Sequence, residues 1–65
     1  MNDLKPTQDQ LTQIAEAIRT ACLQAAQQGY ERAAADGLCD EGALEVALDA
    51  IRSLDIENLL HELNP

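Results

Sequence analysis

A chain of 65 residues holds one domain at most, close to the lower size limit at which a core alone can stabilise a fold, and with no Phe or Trp that core must come from Leu, Ile, Val, Ala and Cys. Twelve acidic against four basic residues, a net charge of −8, argue against direct binding to nucleic acid or to an anionic membrane surface and favour a basic protein partner. Two cysteines in a chain that opens without a signal-peptide pattern predict a reducing, cytoplasmic setting.

Residues 1–6 lack periodicity and are expected to form a flexible tail. Thr7, followed three residues later by Gln10, has the spacing of a capping box, in which cap and third residue satisfy each other's free backbone donors. From Gln8 to Asp36 the spacing predicts one α-helix. Leu11, Ile14, Ala15, Ile18, Ala21, Cys22, Ala25, Gly29 and Ala33 fall on one stripe, and Gln13, Glu16, Thr20, Gln24, Gln27 and Glu31 fall opposite. The stripe turns from Leu and Ile to Ala, Cys and Gly along its length, which lets a second helix approach toward the lower end of the usual interaxial range, about 8 Å. Gly37 supplies the left-handed residue that ends such a helix, with Leu38 able to fold back onto Ala33 or Ala34. Its length is then about 28 residues, roughly 42 Å. Off the stripe, Leu23, Ala26 and Tyr30, with Arg19 one turn earlier, make a second patch that a single returning helix leaves exposed. It is expected to meet another helix or another chain.

Residues 36–40 form a short connection, and Asp40 is the expected cap of a second helix reaching about Ser53. Its apolar arc, Ala43, Leu44, Val46, Ala47, Leu48, Ala50, Ile51 and Leu54, spans roughly 200° and implies contacts on two sides. Glu41, Glu45, Asp49 and Arg52 make the wet row. Ser53 or Asp55 then caps a third helix of about 9 residues, in which Ile56, Leu59, Leu60 and Leu63 repeat at i, i+3, i+4 and i+7 before Asn64 and Pro65 stop it. The two later helices together span roughly 34 Å, enough to run back along the first. The expected fold is an all-α antiparallel helical hairpin, one long helix against two shorter ones, with residues 7–63 as a single domain, 64–65 as its end, and dimerisation into a bundle.

Little here points to chemistry. The acidic loop around Asp36, Asp40, Glu41 and Glu45 lacks the spacing that wraps calcium. Cys22, Cys39 and His61 are the soft metal ligands, too few and too far apart for a structural zinc site. The one His lies in the last turn of a short helix, with no nucleophile and base placed together. No catalytic, cofactor-binding or metal-binding residues are assigned.

The run Gly37-Leu38-Cys39-Asp40-Glu41-Gly42-Ala43-Leu44-Glu45, with Tyr30-Glu31 before it, resembles a group of small uncharacterised bacterial proteins sometimes labelled acetyltransferases. The resemblance covers about two thirds of the chain, from Ala21 to Leu60. Its most specific part is Gly-Leu-Cys-x-Glu-Gly-Ala, and members often carry Trp where this chain has Leu44. It implies no established activity. The same residues have a structural reading: Gly37 ends one helix, Cys39 and Leu44 pair as a hydrophobic staple across the Asp40 cap, and Gly42 permits close approach. A thiol at a helix N-terminus leaves a redox or ligand role open for Cys39.

The function expected from these features is a non-enzymatic, acidic helical interaction or regulatory module acting as a homodimer, joined through Arg19, Leu23, Ala26, Tyr30 and the broad second-helix face. Two alternatives stand beside it. One is an acidic decoy that engages a basic nucleic-acid-binding protein through Glu41, Glu45 and Asp49; the other is an accessory subunit of an acyl-transfer enzyme.

Overall fold

The computed structural model describes residues 5–63 and is all-helical, with a long helix packed against two shorter ones: α1 (Gln8–Ala35), α2 (Asp40–Arg52) and α3 (Ile56–Leu63). Of the expected tail, Lys5 and Pro6 are exposed and outside any helix; residues 1–4, and the helix stop at 64–65, lie outside the described residues.

α1 is a single rod of 28 residues. At its start Thr7 Oγ1 accepts from the Gln10 backbone N–H at 3.1 Å, and Gln10 Oε1 accepts from the Thr7 N–H at 2.8 Å, so the capping box is complete. At its end Gly37 takes φ +93°, the Leu38 N–H reaches back to the Ala33 carbonyl at 3.0 Å, and the Gly37 N–H reaches Ala34 at 3.0 Å. Those two bonds engage carbonyls of the last turn, that of Ala33 also accepting from the Asp36 N–H at 3.1 Å, and they reverse the chain.

α2 starts one residue earlier than an Asp40 cap requires. Cys39 occupies the N-cap without a side-chain hydrogen bond, and Asp40 is the first helical residue. The Asp40 carboxylate accepts instead from the Tyr30 hydroxyl at 3.0 Å, and with Glu41 it stands in the first turn, where the helix end favours negative charge. The shift moves the staple positions to Leu38 and Ala43, so the expected Cys39–Leu44 pair does not hold. Leu38 covers Gly42 so closely that a Cβ there would lie 3.4 Å from Leu38 Cδ2. Between the two candidate caps of α3, Asp55 does the capping: its Oδ1 accepts from the Asn58 N–H at 3.0 Å, and the helix runs 8 residues.

The two main helices meet where their side chains are smallest. A Cβ placed on Gly29 would lie 3.2 Å from Ala50 Cβ, 3.3 Å from the Val46 carbonyl oxygen and 3.4 Å from Ala47 Cα. Gly29, Ala33, Ala43 and Ala47 are the buried residues of this seam. α2 supplies most of the contact with α1, and α3 adds a small share. Leu11 and Ala15, expected on the covered stripe, are exposed, because α2 runs alongside only the C-terminal part of α1 and α3 covers the remainder lightly. The result is slender, 55 × 17 × 15 Å. Its radius of gyration is 15.6 Å, against about 11 Å for a compact chain of this length.

Candidate interaction face

The Tyr30–Asp40 hydrogen bond crosses from α1 to α2 on one side of the hairpin, and it identifies what else lies there. Counting back from Tyr30 at steps of three and four residues gives Ala26, Leu23 and Arg19. Counting forward from Asp40 in the same way gives Leu44, Leu48 and Ile51. Two apolar rows from antiparallel helices therefore share one face. Leu23 is 65 % exposed, Leu44 53 % and Leu48 43 %, while Ala26, Tyr30 and Ile51 are half-buried.

The expected patch of Leu23, Ala26 and Tyr30 thus sits beside the exposed half of the α2 arc. That arc was expected to be covered on two sides; within the chain it is covered on one, with Ala43 and Ala47 against α1 and Leu44 and Leu48 open. The clue that joins the two rows is the spacing 19/23/26/30 against 40/44/48/51, which becomes visible once Tyr30 is known to reach Asp40.

Charge lies at the borders of this face. Arg19 pairs with Glu16 at 3.5 Å on the exposed surface of α1, a link that solvent weakens greatly. On α2, Glu41, Glu45 and Asp49 are exposed along the outer edge, next to shallow grooves that involve Leu44 and Leu48. These three acidic side chains flank the apolar face and do not form part of it.

Tyr30 has a displaced pKa. Its hydrogen bond to Asp40, the negative charge of that carboxylate and slight desolvation all raise it above the usual 10.0. Because the folded value lies above the unfolded one, the bond's contribution is complete below about pH 10 and is lost as pH rises through the folded value. With one Tyr and no Trp in the protein, the long-wavelength absorbance of tyrosinate follows this group alone. Its midpoint is expected above that of free tyrosine and should fall back in Asp40→Asn, which keeps an acceptor and removes the charge. A wild-type midpoint at the free value would mean that the bond does not persist in solution.

Elsewhere, Cys22 is half-buried and Cys39 exposed, both as free thiols. Among the described residues no three His, Cys, Asp or Glu side chains gather so as to hold a metal ion, and no helix is long and apolar enough to cross a membrane. Comparison with protein-family models, curated proteins and solved structures finds no match.

Proposed function

We propose that the chain is a non-enzymatic helical interaction module whose working surface is the face built from Leu23, Ala26 and Tyr30 of α1 and Leu44, Leu48 and Ile51 of α2. One observation carries this reading. Among the described residues the buried hydrophobic ones are Ala33, Ala43 and Ala47, whereas eight Leu and Ile side chains are 42–65 % exposed. Burial of apolar surface stabilises by roughly 25 cal/mol per Å², so a chain this small leaves much of its available stabilisation unused unless another surface covers those side chains. Three of the eight, Leu23, Leu44 and Leu48, lie on the flat face of the two main helices, in the form that another helix or helix pair fits.

A photo-crosslinking amino acid placed at position 23 in the producing cell tests this. A discrete protein adduct is expected from position 23 and none from position 13, which lies on the wet side of α1. No adduct at 23, or equal labelling at both positions, would rule the reading out.

A further inference from the structure

We infer that the occupant of this face is a second copy of the chain, in a two-fold four-helix arrangement with α1 of each copy lying over α2 of the other. The inference rests on the interaction-module reading and adds the identity of the partner.

The first argument is area. A compact protein of 7.0 kDa exposes about 4,000 Å², yet this chain exposes 5341 Å². The excess, roughly 1,300 Å², exceeds the roughly 800 Å² that each partner contributes to a standard interface. One copy laid on one face with a contact of that size removes more than half of the excess. The second argument is shape. A hairpin one helix thick, with an apolar side that runs roughly 10 Å along each helix, is half of a four-helix bundle, and that side mixes large and small side chains: Leu23 and Ala26 on α1, Leu44 and Leu48 on α2.

Charge chooses between the two ways of closing the pair. A two-fold axis lying across the helices sets α2 on α2 and brings the Glu41, Glu45 and Asp49 rows of both copies together. An axis running along the helices sets α1 on α2 and keeps those rows at opposite edges. The second geometry avoids the like-charge contact, so it is the one assigned. Each copy still carries −8, and the pair therefore repels at long range.

Sedimentation equilibrium of the purified full-length chain tests this. The expected mass is twice the 7.0 kDa of the chain, and the dissociation constant should fall severalfold as salt rises from low to physiological, because screening relieves the repulsion. Leu23→Gln, at a side chain already largely in solvent, should weaken the pair about tenfold while leaving the protomer helical by circular dichroism. As a second variant, Glu45→Gln should tighten association at low salt. A chain that is monomeric at every concentration overturns the homodimer; so does a dimer loosened by salt or indifferent to Leu23→Gln. If the purified chain is monomeric while position 23 still crosslinks to a different protein in the cell, the homodimer fails and the interaction module stands. If both experiments fail, both readings go.

Discussion

Gly29→Val should destabilise the protein by about 3 kcal/mol or more, because the position offers no room for a Cβ and its two methyl groups. Even one added Cβ would press to 3.2 Å on Ala50 Cβ, and also on the Val46 carbonyl and the Ala47 backbone, none of which can turn aside as the end of a long side chain can. A domain of 65 residues has total stability on the order of 3–10 kcal/mol, so this one change consumes much of it. Gly29→Ala is the finer test. Alanine gains up to about 1 kcal/mol of helix propensity, but α2 must move outward by a few tenths of an ångström along a seam lined by Gly29, Ala33, Ala43 and Ala47. The packing loss is expected to win by about 1 kcal/mol, measured as a lower urea midpoint. A midpoint raised by alanine would mean that the helices are not in close contact there.

Gly37 is sensitive for the opposite reason. Apart from its own chain neighbours no atom lies within 4 Å of the place where its Cβ would sit, so a substitution meets no packing neighbour, and its cost is that of holding φ +93° with an L side chain. Gly37→Ala should lose about 1 kcal/mol and Gly37→Val about 2 kcal/mol, whereas Gly37→Asn, better tolerated in the left-handed region, should lose less than either. Chemical denaturation of the three variants provides the ranking, and equal stability in all of them would contradict a left-handed terminus. The two glycines therefore separate packing from backbone conformation within one small protein.

The ends of α1 were legible because their signals are local. Thr7 with Gln10, and Gly37 before Leu38, specify particular hydrogen bonds a few residues apart, and those bonds form. The start of α2 was misplaced by one residue because side-chain capping rules look for an oxygen at the N-cap. The Asp40 carboxylate is taken by Tyr30, ten positions away, which a local rule does not see. The wheel projection had another blind spot. Leu11 and Gly29 point in the same direction around α1, yet Leu11 is 48 % exposed and Gly29 is buried, because azimuth carries no information about how far along the rod the returning helix extends. The wide apolar arc of α2 did announce surplus surface. That Leu44 and Leu48 share a side with Leu23 followed only from the handedness of two antiparallel helices and the Tyr30–Asp40 bond that fixes their relative rotation.

The four-residue reversal between α1 and α2 also governs how quickly the chain reaches this arrangement. Tyr30 and Asp40 lie only ten positions apart, and each pair farther down the hairpin encloses little more chain than the pair before it, so the entropy of loop closure grows slowly as the helices zip together from the turn. Chains with such low contact order fold on the scale of microseconds to milliseconds. For the proposed pair, assembly from newly made protomers is then expected to be set by how often two of them collide, not by the time each one needs to form.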